Sequence, residues 1–215
     1  MHHVVRAPIT IAMGVLLLLS WVVIWSAQML LLFCTKSFAT REFRADMCAH
    51  LQRKGSYFFT VLLNPLWWSK VVKPFDSSKI AGRKKVIIMT NHMSNADGYL
   101  LVRPLGFTFC CSYVVKASLL NIPFGGWSLK NCDELLVKFT TAKDGWGTEK
   151  GSVTAMMEDA RRKLARGRRI GVFPEGARNP NPSGCIGEFK LGFFNLAFEE
   201  RATILPMAIT GSEHA

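Results

Sequence analysis

The sequence predicts an α/β layered domain preceded by an N-terminal transmembrane helix. Three observations lead there. Short β-rich runs alternate with helix-period segments from Val86 onward. No Asp, Glu, Lys or Arg occurs from Ala7 to Thr35. The 215 residues are 49% hydrophobic and only 20% charged, enough apolar content for a sizeable core and too much for a disordered tail. That length suits one domain plus a small appendage. Lys and Arg number 27 against 15 Asp and Glu, so the formal net charge is +12. A basic and apolar chain points to an anionic partner at a membrane surface, with nucleic acid as the competing reading.

Ile9 to Phe33 is almost continuously apolar, longer than the ~20 residues a helix needs to cross a bilayer. A cleaved signal peptide has a shorter apolar region of about 7–15 residues, so residues 1–35 read as a retained anchor. Arg6 alone carries charge before it, whereas Lys36, Arg41, Arg44, Arg53 and Lys54 follow it. The positive-inside rule then puts the bulk of the chain in the cytosol.

Residues 36–82 read as an amphipathic and interfacial segment with a loop. Phe43, Met47 and Leu51 recur every four residues and Gly55 closes the pattern, which predicts a short amphipathic helix. Tyr57 to Trp68 is aromatic and apolar but broken at Asn64-Pro65. It suits an interfacial segment with Trp67 and Trp68 at headgroup depth, or aromatics packed on the core. Asp76 to Gly82 reads as a surface loop.

Over 83–215, strands are predicted at Val86 to Thr90, Phe107 to Val115, Leu135 to Phe139, Ile170 to Phe173 and Ile204 to Ile209. Helices are predicted at Asn95 to Leu105, Ser152 to Arg166 and Phe189 to Glu199. The second of these puts Val153, Met156, Met157, Ala160 and Leu164 on its apolar face and stops at Gly167. The six cysteines form no C-x-x-C pair and no zinc spacing, so they read as reduced packing residues, and no metal is implied. Arg161, Arg162, Lys163, Arg166, Arg168 and Arg169 put six cations in nine positions. A solvated helix end is the plain reading, since cations suit helix C-termini; anionic headgroups or coenzyme A phosphates are the functional ones.

Two clusters carry chemistry. Asn91-His92-Met93-Ser94-Asn95-Ala96-Asp97 follows a buried-looking strand. Within one regular helix, five residues place His92 and Asp97 about 140° apart. They meet if His92 lies in the loop and Asp97 in the first helical turn. The carboxylate then accepts a hydrogen bond from one imidazole N–H and leaves the other nitrogen basic, a base with its orienter and no protein nucleophile. Val172-Phe173-Pro174-Glu175-Gly176-Ala177-Arg178 ends another strand, with Pro and Gly forcing a tight loop. Guanidinium suits phosphate, and a carboxylate can accept from a hydroxyl. Lys190 opens the next helix, where backbone N–H groups also favour anions.

Together these clusters resemble the glycerolipid acyltransferase family, typified by 1-acylglycerol-3-phosphate acyltransferases. Asn91, His92 and Asp97 match its first block, and Phe173, Pro174, Glu175, Gly176 and Arg178 its Phe-Pro-Glu-Gly-Thr/Ser-Arg block, with Ala177 departing. Val115 to Leu119 and Ile122 to Trp127 look like the second block, Phe189 to Phe193 the Phe-Lys-x-Gly stretch, and Ile204 to Ile209 the last block. Phe139 stands where the family usually has an Arg that helps hold the acceptor phosphate, so that role passes to Lys138 or Lys143 or is weakened. The chain stops just after the last block, which reads as a shortened C-terminus or a fragment.

The resemblance implies a mixed sheet flanked by helices. It implies transfer of an acyl group from acyl-CoA, a co-substrate rather than a cofactor, to a lysophospholipid hydroxyl. The acceptor expected is 1-acyl-glycerol 3-phosphate, giving phosphatidic acid. His92 and Asp97 are the expected catalytic pair. Glu175, Gly176, Arg178, Lys190, Lys116 and Lys138 are the expected substrate-binding residues. The expected partners are a bilayer, the lysolipid and acyl-CoA, with no nucleic acid. The expected site is the endoplasmic reticulum or another intracellular membrane, or the plasma membrane in a bacterium. The alternatives are a non-catalytic lipid- or acyl-CoA-binding member of the same fold, or an enzyme for another lysophospholipid or glycerol 3-phosphate.

Overall fold

The computed structural model describes residues 2–62, 76, 80, 82–105, 111–142, 145–179 and 186–212. The chain opens with two helices, α1 (His2–Thr35) and α2 (Arg41–Leu62). The five residues between them turn the chain back, and the Thr40 hydroxyl caps α2 by accepting from the Phe43 N–H at 3.2 Å. The domain follows with β1 (Val86–Thr90), single-turn helices α3 (Asp97–Leu100) and α4 (Val102–Leu105), and β2 (Cys111–Lys116). Next come a 3-10 turn (Ala117–Asn121), α5 (Gly125–Asn131), β3 (Leu135–Val137) and a hairpin of β4 (Phe139–Ala142) and β5 (Gly145–Thr148). The chain closes with α6 (Ser152–Ala165), β6 (Arg169–Val172), α7 (Gly192–Glu199) and β7 (Thr203–Met207).

The main sheet has five strands in the order β3-β2-β6-β1-β7. Every pairing in it is parallel. The expected α/β architecture holds, but the mixed sheet is corrected: antiparallel pairing among the described residues is confined to the separate β4–β5 hairpin. The parallel arrangement explains the sequence of β1, whose five residues are all buried. Ile87 and Met89 face α6 and α7, with Ile170, Leu164 and Leu196. Val86 and Ile88 face the other side, with Leu101, Leu105 and Tyr113. All five strands therefore point their C-terminal ends to one edge.

Helix α6 ends as predicted. The Arg168 N–H bonds the Lys163 carbonyl and the Gly167 N–H that of Leu164, with Gly167 at φ +80°. Its apolar face is narrower than expected, because Val153 is exposed while Lys163 is fully buried. The helix predicted from Asn95 to Leu105 is two separate turns, and the strand predicted to Phe139 breaks at Lys138 to start the hairpin. Trp67, Trp68, Lys143, Cys110 and Cys185 lie outside the described residues. Cys48, Cys111 and Cys132 are buried free thiols, but Cys34 is exposed.

The amphipathic helix after the anchor differs most from expectation. Helix α2 runs past Gly55 to Leu62, and its buried face is Ala45, Cys48, Ala49, Gln52, Ser56 and Phe59. Phe43, on the predicted apolar face, is exposed. Gly55 is no terminator: a Cβ there would overlap the Ile24 side chain, so the glycine lets α1 and α2 approach closely.

One described helix, Ile11–Thr35, is long and apolar enough to cross a membrane. One side of it exposes Ile11, Val15, Leu19, Val23, Leu30 and Phe33. The opposite side packs on the domain from Trp21 onward. The Trp21 Nε1–H donates to the Tyr99 hydroxyl at 2.9 Å, and Trp25 contacts the rings of Phe124 and Trp127. Gln28, a polar residue within the apolar run, is fully buried. It donates to the Cys48 carbonyl at 3.0 Å and accepts from Asn131 at 3.2 Å.

The basic run is used internally. Arg161 pairs with Glu199 and Glu200, Arg162 with Asp159, and Arg166 with Glu42 and Asp133. Arg168 pairs with Asp46 and also donates to the Ser112 hydroxyl and the Cys132 carbonyl. Lys163 reaches Asp133 at 2.8 Å and Asp159 at 2.7 Å. These contacts join α6 to α2, to α7 and to the turn before β3. A second buried pair, Arg53 and Glu134, lies under Tyr113, whose N–H donates to Glu134 while its ring receives the guanidinium.

Candidate active site

Strands β1 and β6 are neighbours, so the loops that leave them share the C-terminal edge of the sheet, where parallel α/β folds bind ligands. His92 comes two residues after β1, and Asp97 is the first residue of α3. His92 Nδ1 lies 2.8 Å from Asp97 Oδ2. The same oxygen accepts the backbone N–H groups of Met93 at 2.7 Å and Ser94 at 2.9 Å. Asp97 is fully buried. Burial pushes its carboxyl up, but hydrogen bonds, among them those of the His92 ring and the Ser94 and Met93 N–H groups, outweigh that and hold it below the usual carboxylate range. Asp97 thus stays ionised and engages Nδ1, leaving Nε2 of His92 as the nitrogen that can take a proton. The His92 side chain is 21% exposed, so the ring is reachable from solvent.

The ring's plane is fixed by Phe173, stacked on it at 4.0 Å between centroids and 16° between planes. Glu175 is buried and linked directly to the pair. Its Oε1 accepts the His92 N–H at 2.8 Å and its Oε2 the Gly187 N–H at 2.8 Å. The Asn179 N–H bonds the His92 carbonyl at 2.8 Å. Glu175 therefore fastens the β6 loop to the β1 loop, and both of its oxygens are engaged in doing so. Gly176 makes the turn at φ +75°.

The cations fall into two groups. Arg178 and Lys190 are exposed beside that turn, and the Lys190 N–H bonds the Pro174 carbonyl at 2.8 Å. Lys190 also pairs with Glu188 at 3.6 Å. Lys116 ends β2 with its Nζ 5.6 Å from the centroid of the Phe139 ring, which packs partly buried against the core. Lys138 is not brought to the His92–Asp97 pair by any bond: its side chain is exposed and pairs with Glu149 at 3.7 Å. Among the described residues no group of three His, Cys, Asp or Glu could hold a metal.

The sequence reading missed three features. Phe173 was legible only as part of a motif, not as a ring clamp. Asn91 stands in the sequence only as part of the first block, yet its side chain donates to the Ile209 carbonyl and accepts the Ile209 N–H, each at 2.8 Å. Nothing in the sequence singled out Ser212, which lies beyond β7 and is buried.

The chain matches a family model described as Acyltransferase over residues 72–210, well over half of its length. The chain belongs to the acyltransferase family. The family match covers the whole sheet and both loops. Among curated relatives, the chain is 32% identical over 135 residues to the 1-acyl-sn-glycerol-3-phosphate acyltransferase of Borreliella burgdorferi, covering 62% of this chain and 48% of that one. It is 28% identical over 133 residues to the Saccharomyces cerevisiae enzyme of the same name, covering 60% and 40%. It is 25% identical over 154 residues to a chloroplastic one of Arabidopsis thaliana, covering 68% and 40%. This acyltransferase-family chain thus spans about half or less of the length of these curated relatives.

Proposed function

We propose that the chain transfers an acyl group from acyl-CoA to the hydroxyl of a lysophospholipid, with 1-acyl-glycerol 3-phosphate as acceptor and phosphatidic acid as product. The observation that carries this reading is the His92–Asp97 contact at the C-terminal edge of the sheet. His92 Nε2 takes the acceptor's hydroxyl proton while Asp97 stabilises the imidazolium. The acceptor oxygen attacks the thioester carbonyl, and collapse of the tetrahedral intermediate breaks the carbon–sulfur bond. The proton on His92 passes to the departing coenzyme A sulfur. No acyl-enzyme is required. General-base help contributes typically ~10²–10⁴-fold, so positioning and charge stabilisation supply the rest.

Arg178 and Lys190 are the cations offered to the acceptor phosphate, with Lys116 on the neighbouring strand end. Glu175 holds His92 and the loop, with each carboxylate oxygen accepting a backbone N–H group. The exposed apolar face of α1 is the anchor that keeps the site at a bilayer, facing the cytosol by the flanking charges. The relatives named as 1-acyl-sn-glycerol-3-phosphate acyltransferases support this choice of acceptor.

The test is transfer of radiolabelled acyl groups from acyl-CoA by purified protein to a panel of lysolipids and glycerol 3-phosphate. The expected result is fastest transfer to 1-acyl-glycerol 3-phosphate, abolished in His92→Ala protein. Folded protein that binds acyl-CoA yet acylates no acceptor would establish the non-catalytic alternative.

A further inference from the structure

The two oxygens of Asp97 are treated unequally. Oδ2 meets the His92 ring and two backbone N–H groups. Oδ1 is equally buried but has no partner in normal hydrogen-bond geometry among the described residues. A buried carboxylate oxygen without a donor is costly, because water no longer solvates it. The Ser212 hydroxyl is likewise buried and without a partner in normal hydrogen-bond geometry among the described residues. A hydroxyl carries one hydrogen that rotates to whatever acceptor is near.

The chain beyond β7 is fastened to the loop that carries His92. Asn91, next to His92, grips both backbone groups of Ile209. From there the chain turns at Gly211, φ +81°, into Ser212, which is 3% exposed. The loop after β1 and the segment after β7 are thus fastened together three residues before the serine.

We propose that Ser212 is a positioning residue: its hydroxyl donates to Asp97 Oδ1, fixing the plane of the carboxylate and, through Oδ2, the His92 ring. One bond then satisfies two buried groups. In support, the Ser212 hydroxyl is among the influences that hold the Asp97 carboxyl low. The ionisable groups touching this unit are His92, Asp97 and Glu175, and the Glu175 carboxylate is fixed by the His92 and Gly187 N–H groups whatever stands at 212. The inference rests on His92 being the base, so its test includes a reading that does not depend on turnover.

Full-length Ser212→Ala, Ser212→Thr and Ser212→Val proteins in detergent micelles provide it. The His92 ring titration is followed by NMR, with the signal assigned by its absence in His92→Gln protein, and compared with the acid limb of kcat/KM. Without the hydroxyl, the Asp97 charge is less dispersed and attracts the imidazolium more strongly. The His92 midpoint in the Ala and Val proteins is therefore expected to rise by about 0.5 pH unit, with the acid limb following it. Thr should restore both. Thr and Val have the same shape, so that pair decides the matter even if the Ala protein does not fold. A His92 midpoint identical in the Thr and Val proteins would overturn the proposal. A midpoint that moves as expected in a chain that acylates nothing would uphold Ser212 while refuting the catalytic reading.

Discussion

At the residue scale, the chemistry rests on a contact between neighbours in sequence. His92 and Asp97 are five positions apart, and placing one in a loop and the other in a helical turn is enough to join them. That is why the pair was legible. Its supports were not, because they come from far along the chain: Glu175 is 83 residues from His92, and Ile209 is 118 from Asn91. Replacing His92 by Ala is expected to lower kcat at least ~10²-fold while acyl-CoA binding, measured by calorimetry, persists. Arg178→Lys should raise the KM for the acceptor more than that for acyl-CoA, since ammonium cannot copy the guanidinium fork; equal changes would remove Arg178 from the phosphate. The residue in the family's Arg position illustrates the opposite case. Phe139 is packed against the core and beneath Lys116, so Phe139→Arg would lose packing and set two cations together. The expected outcome is a lower melting temperature without tighter acceptor binding.

At the element scale, helix and strand periodicity located β1, α6, β6, α7 and β7 close to where they lie. Those segments are read correctly because burial dictates their pattern locally. Helix α2 defeated the same logic. Its buried face is built of small and polar residues that pack on α1 and α5, while the eye is drawn to Phe43, which is exposed. Glycine often ends helices, but Gly55 answers to Ile24 on a different helix. Gly55→Val is expected to destabilise the protein by about 1–3 kcal/mol through overpacking, measurable as a fall in the denaturant midpoint. The expectation is specific to the contact: Ile24→Ala in the same chain should recover part of the loss.

At the scale of the whole molecule, a net charge of +12 says little about where charge acts. The densest cationic stretch is spent on holding helices together, and its partners, among them Asp46, Asp133 and Glu199, are scattered through the sequence. The buried Arg53–Glu134 pair gives this interior a pH signature. Burial raises the Glu134 carboxyl from 4.5 to about 7 against the pull of Arg53. The folded protein therefore binds a proton that the unfolded chain releases between those values. This group's contribution to stability is full below about 4.5 and is lost as pH rises through about 7. Glu134→Gln should flatten that portion of the stability–pH curve, read from denaturant melts across the window; an unchanged slope would place the titration elsewhere. Finally, the packing of α1 from Trp21 onward bears on how the protein can be handled. A membrane leash can be cut away to liberate a soluble catalyst. Here the apolar helix is also a wall of the domain, with Tyr99, Cys48 and Asn131 bonded to it through Trp21 and Gln28. Trimming the gene after Thr35 would strip that wall and bare its inner surface to water, so the trimmed product should aggregate where the intact chain in detergent does not.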